Sequence, residues 1–268
     1  RGLKALFKYK KSFNLYKPKI NTLSHIFDHT VKPVLLYGSE IWGSSVINKL
    51  NKNEHNLFKL CKDMKQESIH VKFCKFSLGL GKKSTNIAVL GEMGRYPLFL
   101  EVILNMFRYY KYILKSDDIL LSEALNVSRS LNSLNKNSWY SCIAILMKYL
   151  DIDLKLVKNS KMDLKSLIYR KLKQKYSCIW KSELYNDRQN KQHGNKLRTY
   201  RLFKENIYME KYLLILNEDE RRLLTKFRVS AHKLEIERGR YMGLRVEDRI
   251  YVKLKLRMKF IFFFSVLF

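Results

Sequence analysis

The chain has 268 residues, 46% hydrophobic and 13% aromatic, enough for one large core or two modest ones, which excludes a disordered basic tail. Lys and Arg number 53 against 24 Asp and Glu, a formal net charge of +29, so a polyanion is the natural partner. Nucleic acid is expected rather than a membrane surface, because the cations lie within segments that also carry buried-type periodicity.

Arg1 opens the chain with neither a methionine nor a signal-peptide pattern, as expected for a cut through a longer protein. Residues 20–31 set Leu23, Ile26, Phe27 and Val31 at helical spacing, and Pro33 is expected to bend or restart the chain. Leu50, Leu57, Phe58, Cys61 and Met64 repeat the pattern over 47–64. Gly79, Gly81, Gly91 and Gly94 predict turns around one short helix near 86–90. Pro97 suits the first turn of a helix, and residues 98–114 are apolar enough to be the most buried segment. Residues 128–137 are polar and read as a linker between a helical region, 1–127, and a basic helical region, 138–249. Asn137-Ser138 caps a helix over 139–149, and Asp163 caps a long basic one reaching about Tyr185. After a polar loop at 187–195, helices are expected over 197–216 and 218–229, the second with Asn217 as N-cap and Glu220 completing a capping box. Residues 233–240 suggest a short extended segment. Within the atypical terminus, 250–268, the apolar run 260–268 is far short of the ~20 residues of a membrane helix; a membrane or partner contact is the alternative to a buried strand or an aberrant end, and the latter reading is preferred. The fold class expected is mainly α, a multi-helix assembly with short loops.

Motifs for catalysis are missing. Cys61, Cys74, Cys142 and Cys178 are scattered, which suits reduced thiols in an intracellular compartment, nuclear or cytoplasmic. Cys61, His70 and Cys74 lack the second short-spaced pair that zinc requires, so no metal is expected. Residues 79–85, Gly-Leu-Gly-Lys-Lys-Ser-Thr, fail as a phosphate-binding loop at two required positions. Asp117-Asp118 is the only such pair, and a helix N-cap accounts for it. Glu40 is a lone carboxylate. No catalytic residue is assigned.

Basic and aromatic residues interleave from 165 to 240. Arg170, Lys171, Lys173 and Lys175 accompany Tyr169, Tyr176 and Trp180, and Arg198, Arg201 and Lys204 accompany Tyr200 and Phe203. Cations neutralise phosphates while an exposed ring stacks an unpaired base. Most of these rings are expected to be buried and most of the cations exposed. The candidate nucleic-acid-binding residues are Arg198, Tyr200, Arg201, Lys204, Arg228, His232, Arg238 and Arg240. His232 either bonds a phosphate or base, or caps and packs. The rival reading pairs the arginines with Glu235, Glu237 and Glu247.

Three segments together resemble the region that follows the polymerase core in the reverse transcriptase of LINE-type (non-LTR) retrotransposons. They are residues 35–43, Leu-Leu-Tyr-Gly-Ser-Glu-Ile-Trp-Gly, residues 196–204, Lys-Leu-Arg-Thr-Tyr-Arg-Leu-Phe-Lys, and the Arg-rich run 221–241; Ala5-Leu6-Phe7 and residues 91–97, Gly-Glu-Met-Gly-Arg-Tyr-Pro, extend the likeness. The resemblance implies a thumb- or connector-like region over 1–127, and a chain that helps hold template RNA and target DNA. The palm that synthesises DNA, with its Tyr-x-Asp-Asp hairpin and its Mg2+, would belong to the remainder of the parent polymerase. Tyr37, Trp42 and the two glycines of 35–43 would shape a turn packed against the thumb. One departure stands out: Tyr251 and Val252 follow Arg249-Ile250 where the family often has a Cys-x-x-Cys knuckle, so the knuckle is not expected. The alternatives are an independent basic helical binding module of a host protein, and a decayed retroelement fragment without function.

Overall fold

The computed structural model describes residues 18–52, 64–153, 164–186, 197 and 200–231, and among these the regular elements are helical, as the periodicity predicts. The calls on residues 5–7, 187–195, 233–240 and 250–268 lie outside the described residues. Helix α1, Ile20–Ile26, passes through a π-turn, Phe27–Val31, into α2, Lys32–Leu36. Pro33 explains the π-turn. Its ring has no N–H and collides with the carbonyl four residues back, and the wider turn, closed by the Lys32 N–H on Phe27 O, takes up the misfit. The expected bend or restart is thus a local widening of a continuing helix.

Gly38, at φ +68°, turns the chain into α3, Ser39–Lys52, and the Trp42 indole N–H fixes that turn by donating to Tyr37 O at 2.8 Å. A Cβ on Gly43 would lie 2.7 Å from Val102 and 2.8 Å from Met106, so this glycine lets α3 close on the later helix α6. The 35–43 motif therefore builds a turn and a helix crossing. Residues 53–63, the second half of the helix expected over 47–64, lie outside the described residues.

Next come α4, Lys65–Ser77, α5, Asn86–Glu92, and α6, Leu98–Lys115. Ten of the 18 residues of α6 are buried, so it is apolar around most of its circumference and sits at the centre, with α3 and α4 packed against it. Its first turn is capped from a distance: Glu67 of α4 accepts from the Leu98 N–H at 2.7 Å, a carboxylate at the positive end of a helix. Glu67 also accepts a hydrogen bond from His70 Nδ1 at 3.0 Å, His70 Nε2 accepts from Arg95 Nε at 2.9 Å, and Arg95 forks onto both oxygens of Asp28 in the π-turn. Arg95 covers the stacked rings of Phe27 and Phe73 as well.

Helix α7, Ile119–Ser133, starts at Asp118, whose carboxylate accepts from the Leu120 and Leu121 N–H groups. Helix α8, Trp139–Leu150, starts with a Ser138–Ser141 capping box, and the Trp139 indole donates to Glu40 O of α3. The linker expected at 128–137 is corrected: the chain is helical to Ser133, and a turn through Asn135 at φ +58° joins α7 to α8. The polarity of that stretch belongs to an outward face, since α7 buries Leu125 alone. Helix α9, Leu164–Leu184, lays Ile168, Leu172, Tyr176, Trp180 and Leu184 at four-residue intervals into the same core, against α5 and α6.

The single helix expected over 197–216 is also corrected. A 3-10 turn, Tyr200–Leu202, leads to an extended stretch in which Met209 bridges Met93, then to the short α10, Tyr212–Ile215. Gly94, at φ +62°, permits this approach, because a Cβ there would fall 2.6 Å from the Tyr208 carbonyl carbon. Helix α11, Glu218–Arg228, begins at Asn217, which accepts from the Glu220 N–H at 3.0 Å. Among the described residues no helix is long and apolar enough to cross a membrane.

The Asp28–Arg95 pair predicts an acid-limb effect. Burial raises the Asp28 carboxyl, but the hydrogen bond and charge of Arg95, helped by Lys32, hold it below its ordinary value. A depressed carboxyl adds stability that is present above the unfolded value of about 3.9 and is lost as pH falls through the lower folded value. Asp28→Asn should therefore flatten the loss of stability below about pH 4, and Arg95→Met should lower stability at pH 7 by about 2 kcal/mol, both read by urea unfolding across pH.

Candidate nucleic-acid interface

The expected interface divides into cations the fold consumes and cations it leaves outside. Glu92, at the end of α5, is fully buried, and Arg228 of α11 meets it through Nε at 3.1 and 3.2 Å from the two carboxylate oxygens. The Tyr212 hydroxyl donates to the same carboxylate, and Arg228 reaches Glu210 at 3.3 Å. Lys204 is fully buried too, its ammonium on Glu210 and on Tyr208 O at 2.6 Å. Two cations and two carboxylates balance. Burial pushes the Glu92 carboxyl up against the pull of Arg228, and it pushes the Lys204 ammonium down against the pull of Glu210. Burial beside Glu92 also raises the Tyr212 hydroxyl, which stays a proton donor.

Lys204 and Arg228 are thus corrections to the expected exposure, because desolvated cations stay charged only when paired and hydrogen-bonded. Tyr200 is buried as well: its hydroxyl donates to Ala88 O at 3.2 Å, and with Trp180 it packs on Gly91, where a Cβ would meet the hydroxyl at 2.6 Å. Arg201 stays partly exposed, with its guanidinium 5.5 Å from the ring centroid of Tyr185. Arg198, His232, Arg238 and Arg240, with Glu235, Glu237 and Glu247, lie outside the described residues.

Helix α9 sorts its own cations by side. On one flank Lys171 donates to Leu150 O and Asp151 O, both at 2.8 Å, satisfying carbonyls at the C-terminus of α8, and Lys175 pairs with Asp151 at 3.6 Å. On the other flank Lys173 lies between two rings, 4.9 Å from the Tyr96 centroid and 4.2 Å from the Tyr169 centroid, with Tyr96 beside Ser177. Opposite the buried stripe, Arg170, Gln174, Cys178 and Ser182 form an exposed ridge flanked by exposed Lys181. From Arg170 to Lys181 the ridge runs about 16 Å along the axis. Arg170, Lys173 and Lys181, with Arg201 at the far end, are the arrangement that could track a phosphate backbone.

The basic character of 165–185 is legible in the sequence, but Lys181 and the Tyr96–Lys173 contact escape it, since the second joins residues far apart in the chain. Glu92 carried one signal, a carboxylate inside an apolar, glycine-rich run. As for metals, His70 already engages Glu67 and Arg95, Cys74 is buried, and Cys61 lies outside the described residues. No group of three His, Cys, Asp or Glu residues suited to a metal ion occurs among the described residues. Comparisons with known protein families, with curated proteins and with solved structures find no match to this chain.

Lys204→Met and Arg228→Met each leave a buried carboxylate short of a cation. Each should lower unfolding stability by about 3–5 kcal/mol and, measured on the folded fraction, leave the salt dependence of nucleic-acid affinity unchanged. A shallower salt slope in a well-folded variant would return that residue to the interface.

Proposed function

We propose that this chain is a non-catalytic helical region of a LINE-type reverse transcriptase, lying after the palm, and that it holds RNA or DNA along the outer ridge of α9. The observation that carries the proposal is that Arg170 and Lys181 are exposed on the outward side of a helix whose apolar stripe is buried, with half-buried Lys173 at its flank, while Lys171 donates to carbonyls at the end of α8 and Lys175 pairs with Asp151. The net charge of +29 supports a polyanionic ligand. The family motifs support the parentage through roles a helical scaffold needs: 35–43 makes a turn and crossing, and 91–97 supplies Gly91, Glu92, Gly94 and Arg95 to close contacts and buried pairs. On this reading catalysis belongs to the palm of the parent protein, and Asp118 of the Asp117-Asp118 pair is the N-cap of α7.

Replacing Arg170, Lys173 and Lys181 together with alanine removes about three phosphate contacts. The slope of log affinity against log salt should flatten by about 2–2.7, alike for all sequences, because phosphate contacts position without specifying. Thermal stability should fall only by what Lys173 loses at the two rings, about 1–2 kcal/mol, with the chain still folded. Exposed Cys178 on the same ridge gives a second readout: bound RNA or DNA should slow its alkylation, while buried Cys74 and Cys142 react slowly with or without ligand. An unchanged slope together with an unprotected Cys178 would remove the ridge from the binding site.

A further inference from the structure

Tyr185 follows the last residue of α9 and remains 55% exposed, at the end of the basic ridge. The Arg201 guanidinium lies over the ring, 5.5 Å from its centroid, which sets a cation on one of its faces. We propose that the ridge takes single-stranded nucleic acid, with an unpaired base stacked on Tyr185. This rests on the nucleic-acid reading of the ridge and names its substrate class.

The argument turns on what each form of nucleic acid presents. A duplex offers phosphates and groove edges, its base planes being covered by their neighbours, so a ring protruding beside the cations has no plane to meet. A single strand offers a π-face at every base, and stacking on an aromatic side chain tolerates any sequence. From Arg170 to Tyr185 the surface runs about 22 Å, enough for about six nucleotides at stacked spacing. Within that length the cations come first and the exposed ring last. The rings at the other end are differently placed: Tyr96 and Tyr169 are half-buried and hold Lys173 between them, so they position a cation. Tyr176 and Trp180 are buried in the core. Among the described rings of residues 164–186, Tyr185 is the exposed one.

The test compares a 12-nucleotide single strand, as DNA and as RNA, with the duplex of the same sequence at fixed salt, for the unaltered chain and for Tyr185→Ala, Tyr185→Leu and Tyr185→Phe. The single strand should bind more tightly than the duplex. Tyr185→Ala should weaken single-strand binding about 5- to 100-fold with the salt slope and duplex affinity unchanged, and Tyr185→Phe should retain it. Tyr185→Leu keeps apolar bulk without a π-face, so it should behave like the alanine variant and stands in if that variant folds poorly. Equal or tighter duplex binding, full affinity in the leucine variant, or a phenylalanine variant as weak as the alanine one would overturn the proposal. If the triple ridge variant flattens the salt slope while Tyr185 substitutions have no effect, the ridge stands and the single-strand assignment falls; if neither has an effect, both fall.

Discussion

A carboxylate removed from water must be met by cations and donors, and Glu92 imposes that demand on the last described part of the chain. Its position at the end of α5, among Val89, Leu90 and Met93, leaves it no solvent. Arg228 and Tyr212 answer it, and Arg228 in turn draws in Glu210, which holds Lys204. The cluster thus pins residues 200–228 to α5. Tyr200, Trp180 and the Met93–Met209 bridge pack around the same short helix, so the fold of this segment depends on one buried carboxylate having its partners.

That dependence also decides which charges face outward. Lys204 and Arg228 look like phosphate ligands by residue type, yet their charge is balanced inside the protein. The cations of α9 are divided by geometry: Lys171 completes the C-terminus of α8, Lys175 pairs with Asp151, Lys173 lies against two rings, and Arg170 and Lys181 are exposed. A surface this basic attracts a polyanion at long range, whereas the ridge and Tyr185 are where we propose that contact is made.

Local rules were legible in the sequence where a few adjacent residues carry the whole interaction. Asp118, Ser138 and Asn217 each cap the helix they precede, and the density of apolar residues in α6 announces its central place. The polar stretch at 128–137 misled because α7 has a wide outward face, and polarity alone does not separate such a face from a linker. The helix expected over 197–216 misled because pairing with residues 92–94 and the burial of Lys204 override local propensity. Glu210 lies six residues from Lys204, but Glu92 lies 136 residues from Arg228, so the pairing that removes Arg228 from the expected interface could not be read from spacing. The buried i, i+4 stripe of α9 was readable, and with it the side on which its remaining cations stand.

Lysine labelling with mass-spectrometric readout, with and without a bound oligonucleotide, tests the division of charge most directly. The account predicts that Lys204 stays unreactive in both states, while Lys173 and Lys181 are labelled in the free protein and protected by the oligonucleotide. Ready labelling of Lys204 that the oligonucleotide suppresses, with Lys173 and Lys181 equally reactive in both states, would contradict it.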